Sequence, residues 1–404
     1  RRQLLDISRS FLERTKSRGD ALDTFNWGTL QGVVNAERGG YLPIKNYQTN
    51  VFDISPEELD KFSAEYIRGN FDPTPNPCWA CQLHHCHMMK ITEGPYEGEV
   101  VEEPEYEGFS AWGSATGQTQ VASTMVISNE VDKLGLETNE AGWLMGLVME
   151  CYEKGIINRE DTDLLEMTWG NAEATMEMLR KIAHREGFGD TLAEGTMRAA
   201  NLIGGEAPNL AIHTMKGNTP RGHDHRSLWQ EMFDTCVSST GTIESQRAID
   251  RESFGLSPTG DPFDPDDVVK LTTTTKGAMQ FEDALGVCRF NTRTDMVLLC
   301  EAVQAATGWN YTMDDAMQMG RRTVNLLKAF NLRHGIGPEL DKPSPRYGST
   351  PADGSVKGVG IAPNWDTMVQ DYYEQMGWDR ETSKPLPETL KALSLDSVID
   401  DLWG

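Results

Sequence analysis

The sequence predicts a mainly α protein built from two helical domains with few short strands. Apolar residues recur at the spacing of a buried helix face in several long segments, whereas strand-like alternation is short and rare. Hydrophobic residues make up 38% of the chain and charged residues 25%, a balance typical of globular proteins. A chain of 404 residues is long enough for two domains of about 100–200 residues each.

The clearest helix is predicted between residues 140 and 154. Trp143, Leu147 and Cys151 follow one another at four-residue intervals and therefore share one face. Asn139 is the predicted N-cap, because its short polar side chain can accept a hydrogen bond from the first turn. Residues 171–186 repeat the pattern and end at a glycine, which predicts a second helix.

Two further helices are predicted in the second half of the chain. Thr312 is followed three residues later by Asp315, the pattern of a capping box, so a helix is expected to begin there. Residues 366–376 carry another apolar face. The best strand signal is the alternation of apolar and polar residues in 209–215.

The domain boundary is predicted at a stretch of glycine and proline in residues 204–208, which interrupts the helical pattern. The first helical domain is therefore predicted to span residues 1–205. The second is predicted to span residues 206–404. Each domain carries one of the two related motifs described below.

The charge of the chain limits its partners. Asp and Glu number 62 against 37 Lys and Arg, which gives a net charge of −25. Nucleic acids and anionic membranes are bound by clustered basic residues, so both are excluded as generic partners. No run approaches the roughly 18 apolar residues of a membrane span. The odd number of cysteines, 7, argues against a disulfide framework. No secretory leader is expected, and the cytoplasm is the predicted compartment.

Three cysteines cluster in a C-x2-C-x4-C run formed by Cys78, Cys81 and Cys86. Two histidines, His84 and His85, lie inside the run. A tight turn can bring the first two sulfurs together on one metal. The run alone leaves two interpretations open: a structural zinc with three Cys and one His, or an iron–sulfur cluster with a distant fourth cysteine.

A second kind of motif occurs twice. Residues 132–137 have the form D-x-x-G-L-E, and residues 283–288 have the form D-x-x-G-x-C. Each places an Asp three residues before a glycine, where the backbone can approach a planar ligand and the carboxylate can accept hydrogen bonds from ring N–H groups. The second copy ends in Cys288, which could complete a cluster begun by the three clustered cysteines.

With these motifs, the chain resembles the tungsten-containing aldehyde:ferredoxin oxidoreductases along essentially its whole length. Further segments that carry the resemblance are residues 39–47, 104–107, 149–155, 183–187, 192–195, 306–309 and 372–378. The resemblance implies a tungsten (or molybdenum) ion held by two pyranopterins beside one [4Fe–4S] cluster. It also implies that this chain matches the second and third, helical domains. The family's N-terminal β-rich domain, on which the pterins sit, is expected outside this chain.

The resemblance also implies which residues hold the cofactors. The cluster ligands are expected to be Cys78, Cys81, Cys86 and Cys288. The pterin-binding residues are expected to be Asp132, Leu136, Glu137, Lys216, Asp283, Val287, Cys288 and Arg289. The family usually has C-x2-C-x3-C, so His85 stands at the usual third-ligand position; we predict Cys86, because thiolate is the softer ligand for iron. Glu137 stands where the family usually has Asp.

Two residues are predicted to handle protons. Glu107 occupies the position of the family's acidic residue near tungsten. His213 is the candidate proton donor, although one extra residue before Lys216 leaves Thr214 as an alternative counterpart. The polar segment 221–226 (RGHDHR) could line a substrate funnel or form a solvated loop, and the solvated loop is favoured.

The function implied by the resemblance is oxidation of an aldehyde to the carboxylic acid. Electrons would pass through the cluster to ferredoxin or an iron–sulfur subunit, within an oligomer. An alternative is the tungsten subunit of an aromatic acyl-CoA reductase, but such subunits are expected to place a cysteine on tungsten, and none lies between Cys86 and Cys151. A zinc-stapled interaction module is the alternative from another class, and it would have no use for paired D-x-x-G motifs.

Overall fold

A computed structural model describes residues 2–17, 19–245 and 249–404, and these form mainly α-helices. The helices are α1 Arg2–Ser17, α2 Gly19–Trp27, α3 Gly32–Arg38, α4 Pro56–Asp60, α5 Ala64–Asn70, α6 Tyr106–Trp112, α7 Val121–Leu134, α8 Thr138–Glu153, α9 Ala172–His184, α10 Phe188–Leu192, α11 Thr196–Ile203, α12 Ala207–Leu210, α13 Trp229–Val237, α14 Pro265–Thr275, α15 Ala278–Ala284, α16 Arg289–Thr292, α17 Met296–Thr307, α18 Met313–Arg333, α19 Trp365–Met376, α20 Pro387–Ala392 and α21 Ile399–Trp403. The predicted mainly α fold is confirmed.

Strands are few and short in these ranges. β1 (Thr74–Pro75), β2 (His87–Lys90) and β3 (Val100–Glu102) form one antiparallel sheet in the order β1-β2-β3. None of the helices in the described ranges combines the length and the apolar character needed to cross a bilayer.

The structure divides into two compact units that do not follow the predicted domains. Unit A contains Asp23–Ser227 and Pro343–Gly360. Unit B contains Leu228–Lys342, Ile361–Gly404 and the described residues of Arg1–Leu22. The predicted boundary at 205/206 falls inside unit A, so units and predicted domains are different segments. The division into family domains stays a prediction.

Unit A is organised around α8, in which 11 of the 16 residues are buried. Two glycines let neighbouring segments approach this helix: a methyl group at Gly142 would lie 2.6 Å from the Ala111 Cβ, and one at Gly146 would lie 3.3 Å from the Ala115 carbonyl oxygen. Close backbone approach of this kind requires the missing side chain. Helix α6, which carries Glu107, therefore packs directly on the central helix.

The helix ends confirm some sequence predictions and correct others. Thr312 and Asp315 form the predicted capping box of α18. The helix predicted at residues 171–186 is α9, and the structure adds that Asn171 caps it. The predicted cap of α8 is wrong, because Asn139 lies inside the helix. The cap is Glu137, whose side chain accepts hydrogen bonds from the backbone N–H groups of Asn139 and Glu140.

The strand predicted at residues 209–215 is wrong. Ala207–Leu210 is a short helix that begins with Pro at its first turn, and Thr214 forms only an isolated bridge with Pro343. The four residues 211–214 are all buried, so the apparent alternation does not reflect one buried and one exposed face. The alternation of a strand therefore does not tell which side chains of this segment point into the protein.

Unit B has a cluster of buried charges at its centre. The Lys276 ammonium contacts the Asp234 carboxylate and lies 3.2 Å from Glu244 Oε2, and the side chains are at most 1% exposed. Asp234 also accepts hydrogen bonds from the backbone N–H groups of Glu244 (2.6 Å) and Ser245 (2.7 Å). Burial raises the pKa of Asp234, and the carboxylates opposite raise the pKa of Lys276 although burial opposes this. The cluster ties the loop after α13 to α14.

Replacing Lys276 with Met should destabilise the protein strongly. The substitution leaves two buried carboxylates without their cation, a change that typically costs about 3–5 kcal/mol. The free energy of unfolding in urea, measured on purified variants, gives the effect. Lys133→Met is the matched control, since Lys133 is 61% exposed and lies 3.8 Å from Glu130 on the surface of α7. A loss below about 1 kcal/mol in Lys276→Met would contradict the account.

Candidate active site

The clustered cysteines lie in the loop between β1 and β2. The backbone N–H of Asn76 donates to the Cys86 carbonyl (2.9 Å), which closes the loop at its base. At its tip, the Cys81 N–H donates to the Cys78 carbonyl (3.1 Å), and Ala80 adopts a left-handed φ of 56°. The first two cysteines therefore flank the tight turn that the C-x2-C spacing predicts.

The thiol of Cys78 lies close enough to that of Cys86 to raise its pKa. Burial, followed by the nearby carboxylate of Glu105, raises the pKa of Cys86 to about 12. Cys78 is exposed, and Cys81 and Cys86 are half-buried. The loop thus brings two of the three predicted thiol ligands into contact and holds the third on the same turn. This arrangement fits a soft metal centre at the loop.

His85 is buried and makes a different contact. Its Nε2 lies 3.4 Å from Glu105 Oε1, and its carbonyl accepts a hydrogen bond from Arg68 (2.7 Å). One ligand atom each from His85, Cys86 and Glu105 lies within 4.8 Å of the others. Burial opposes ionisation of Glu105, but hydrogen bonds from His85 and Thr29 lower its pKa. The His85 ring thus lies against Glu105, whereas the Cys86 thiol lies near the thiol of Cys78.

The first D-x-x-G motif ends α7 and begins α8. Gly135 has a φ of 69°, and its N–H donates to the Asp132 carbonyl (3.1 Å). Leu136 packs partly buried against the core of unit A, and Glu137 caps α8. Asp132 is exposed, and partial desolvation raises the pKa of its carboxyl. Glu137 therefore caps α8, a structural role that its position in the sequence motif does not predict.

The second motif repeats this backbone in unit B. Gly286 has a φ of 65°, its N–H donates to the Asp283 carbonyl (3.0 Å), and Cys288 stands at the N-cap of α16, five residues after the Asp, as Glu137 does. Asp283 and Cys288 are exposed, and Val287 is 40% exposed. Arg289 donates to Asp283 (2.6 Å) and to Glu282 (3.2 Å). The two sequence motifs thus share one conformation.

Both motif glycines face open space. A methyl group built on Gly135 or Gly286 meets no atom within 4 Å, so packing inside the chain does not require glycine at either position. The positive φ favours glycine, and the open space leaves room for a ligand at the exposed Asp. These features fit a planar, hydrogen-bonding group such as a pterin at each motif.

Glu107 lies in the first turn of α6. The other six residues of this helix are buried, whereas Glu107 is half-buried. The start of the helix is fixed by Thr29, which donates to Glu105 (2.6 Å) and accepts a hydrogen bond from the Tyr106 N–H (2.8 Å). The carboxyl group of Glu107 is therefore carried on a rigid, packed element at the edge of the core.

His213 is buried beside a different carboxylate. Its backbone is fixed to Ser344, whose N–H donates to the His213 carbonyl (2.8 Å). Its Nδ1 lies 2.7 Å from the Thr214 carbonyl, so Nδ1 carries the hydrogen and Nε2 is the basic nitrogen. Burial lowers the pKa of His213, and the nearby carboxylate of Glu140 opposes this. Lys216 follows in a turn closed by Thr214 and is half-buried.

The solvated loop favoured for residues 221–226 is wrong, because residues 222–226 are all buried. Asp224 forms an ion pair with Arg226 (2.6 Å) and accepts from Asn50 (3.0 Å). His225 Nδ1 lies 2.6 Å from the Tyr347 hydroxyl. A run of charged residues without apolar periodicity predicts exposure. Asp224 and Arg226 neutralise each other within the segment, and the further hydrogen-bond partners Asn50 and Tyr347 lie far away in sequence.

Comparison with known proteins identifies the family. Residues 7–395 match the family model for aldehyde ferredoxin oxidoreductase, domains 2 and 3. A tungsten-containing aldehyde ferredoxin oxidoreductase of Pyrococcus furiosus is 31% identical over 384 residues, covering 93% of this chain and 61% of the relative. An aliphatic sulfonate oxidoreductase, WOR-like subunit, of the same organism is 28% identical over 397 residues, covering 93% and 58%.

A solved structure shares the fold. The active site complex BamBC of benzoyl coenzyme A reductase, bound to 1,5-dienoyl-CoA, superimposes with a TM-score of 0.73 at 19% identity, covering 93% of this chain and 60% of that one. The chain spans about three fifths of the length of the curated relatives it matches. The family match extends over nearly all of its residues. The chain therefore belongs to the aldehyde ferredoxin oxidoreductase family, of which it represents domains 2 and 3.

Proposed function

We propose that this chain is the helical part of a tungsten–bispyranopterin oxidoreductase that oxidises an aldehyde to the carboxylic acid. The observation that carries the proposal is the repeated motif. Two segments 151 residues apart (283 − 132) adopt the same helix–glycine–cap conformation with an exposed Asp and open space at the glycine. A non-catalytic interaction module held together by a structural zinc would not require this pair of motifs.

The residues proposed to hold the pterins follow the motifs. One pterin is assigned to Asp132, Leu136 and Glu137, and Lys216 is assigned to a pterin as well. The other pterin is assigned to Asp283, Val287, Cys288 and Arg289. Exposed carboxylates can accept hydrogen bonds from the ring N–H groups, and the arginine can donate. Arg289 donates a hydrogen bond to Asp283. Pterin binding would replace this bond with bonds from each of the two residues to the pterin.

The cluster is assigned to Cys78, Cys81, Cys86 and Cys288. The thiol contact between Cys78 and Cys86 supports Cys86 over His85 as the third ligand. Cys288 belongs to unit B, and its assignment rests on the family resemblance and on its exposure at the cap of α16. Iron–sulfur clusters are usually held by four such thiolates.

When bound, the tungsten–pterin group supplies a two-electron acceptor and the cluster a one-electron path. The chain's own residues manage protons and position. Glu107 would take a proton from the attacking water, a task that suits a carboxylate on a rigid helix at the edge of a packed core. A second base would take the other proton; the sequence analysis predicts His213 for this role, and burial lowers the pKa of that imidazole. Exclusion of bulk water by the buried surroundings would keep these transfers local.

The electron acceptor is proposed to be ferredoxin or an iron–sulfur subunit of a larger assembly in the cytoplasm, together with the N-terminal pterin-base domain. The test of the function is steady-state oxidation of short aldehydes by the full protein with a viologen acceptor. We expect carboxylate formation matched to two viologens reduced per aldehyde. An aromatic acyl-CoA is the control substrate, and turnover of it in place of aldehydes would contradict the proposal.

Replacing Asp132 or Asp283 with Ala should weaken pterin binding. Each change leaves ring N–H groups without an acceptor, which costs about 1–3 kcal/mol per group. Tungsten and pterin content after gel filtration, with pterin measured by fluorescence, gives the result. Asp23→Ala, at another exposed Asp, is the control. Full tungsten and pterin content in both variants would rule out the assignment.

A further inference from the structure

We propose that His223, rather than His213, is the base that works beside Glu107; this assignment rests on the proposed function. Oxidation of an aldehyde, RCHO + H2O → RCOOH + 2H⁺ + 2e⁻, forms one C–O bond and breaks one O–H and one C–H bond. When bound, the tungsten–pterin group would supply the acceptor for the electron pair. Glu107 takes the proton of the attacking water, and His223 takes the proton released from the formyl carbon.

The first observation is that the segment of His223 lies against the helix that carries Glu107. A methyl group built on Gly222 would overlap the Ser110 hydroxyl and would lie 3.6 Å from the Cα of Glu107. Glycine at 222 therefore allows the two backbones to touch. The next residue along the chain is His223, so its ring is attached directly beside the Glu107 turn.

The second observation is that His223 is held firmly. Its N–H donates to the Arg221 carbonyl (2.7 Å), and its carbonyl accepts a hydrogen bond from the Tyr47 hydroxyl (2.5 Å). Its ring lies 5.0 Å from the ring of Tyr106, the residue before Glu107, and 5.4 Å from the ring of Tyr41. A catalytic base needs such fixed geometry, because proton transfer depends on short, aligned contacts.

The third observation is a second histidine behind the first. The rings of His223 and His225 are 6.0 Å apart, and His225 Nδ1 lies 2.6 Å from the Tyr347 hydroxyl. His225 is completely buried and His223 is 9% exposed. A buried pair of imidazoles followed by a phenol costs burial energy and is not needed to fill space. One ring nitrogen of each histidine and a carboxylate oxygen of Glu231 lie within 4.8 Å of one another, and we infer that His225 and Glu231 would receive the proton that leaves His223.

The contacts described for His213 include neither the helix of Glu107 nor a second histidine. Its ring bonds the Thr214 carbonyl, and the carboxylate that acts on it is Glu140. Glu140 in turn accepts hydrogen bonds from the Thr196 N–H (2.5 Å) and the Thr219 hydroxyl (2.9 Å). This network ties α8 to α11 and to residues 213–219, which is a structural role. His213 therefore belongs with Glu140, whereas the segment of His223 lies against the turn that carries Glu107.

The test is made on the full tungsten-loaded protein with the variants His223→Ala, His223→Gln and His213→Ala. We expect kcat to fall roughly 10²-fold or more in both His223 variants, with KM, tungsten and iron content unchanged. Added imidazole should restore kcat at least tenfold in His223→Ala only, because it fills the space of the lost ring. His184→Ala, at an exposed histidine on α9, is the control.

The outcomes separate this inference from the proposed function. His223→Gln activity within threefold of the parent, or a loss in His223→Ala that imidazole does not reverse, would overturn the role of His223. If His213→Ala is the variant rescued by imidazole, His213 is the base instead. A parent protein that oxidises no aldehyde, with tungsten bound, would refute the proposed function itself.

Discussion

Glu107→Gln should slow aldehyde oxidation by a factor of roughly 10²–10⁴, the usual contribution of a general base. Gln keeps the size and most hydrogen-bonding capacity of the side chain but cannot accept a proton from water. Since six of the seven residues of α6 are buried and Glu107 is not, the change should leave the packing of the helix intact. The measurement is steady-state kcat with a viologen acceptor.

The control for Glu107→Gln is Glu97→Gln, the same change at an exposed position after a short turn. Tungsten and iron contents of both variants should equal those of the parent, which separates a chemical defect from loss of cofactor. If Glu107→Gln worked within a factor of two of the parent, the catalytic assignment of Glu107 would be wrong.

Cys86→Ser should remove the iron–sulfur cluster and with it electron transfer to any acceptor. Serine oxygen is a poor replacement for thiolate on iron, and the Cys78–Cys86 contact is the part of the loop that brings two sulfurs together. Iron content and the visible absorption of the cluster give the result. We expect the same loss in Cys288→Ser, accompanied by weaker pterin binding, because one residue would serve both groups.

Two variants make the cysteine experiment specific. His85→Asn should retain iron if Cys86 is the third ligand, since His85 then only supports Glu105. Cys300→Ser, at a cysteine whose thiol donates to the Thr312 carbonyl in unit B, controls for loss of an unrelated thiol. Iron that is retained in Cys86→Ser but lost in His85→Asn would reverse the ligand assignment.

The helices were predictable where local chemistry determines them. The capping box of Thr312 and Asp315 is satisfied within four residues, and Asn171 caps α9 in the same local way. The cap of α8 was mispredicted because two polar candidates stand close together. Glu137 reaches two N–H groups of the first turn, and Asn139 is left inside the helix.

The candidate site was predictable only in part. The two D-x-x-G motifs carry their turn in their own residues, so the shared Asp and Gly positions gave similar backbones. The burial of residues 222–226 depends on Tyr47, Asn50 and Tyr347, which lie more than 120 residues away in sequence. No local pattern reports such partners. The two histidines in this segment were the available sign of a functional site. The charged residues beside them indicated an exposed loop instead.

The most direct test of the central claim is the metal content of the purified full protein. A tungsten–bispyranopterin oxidoreductase predicts about one tungsten, or molybdenum in its place, about four irons per chain and no stoichiometric zinc. Elemental analysis of W, Mo, Fe and Zn decides the matter in one measurement. About one zinc per chain without tungsten, molybdenum or iron would mean that the cysteine loop is a structural zinc site, and would contradict the account.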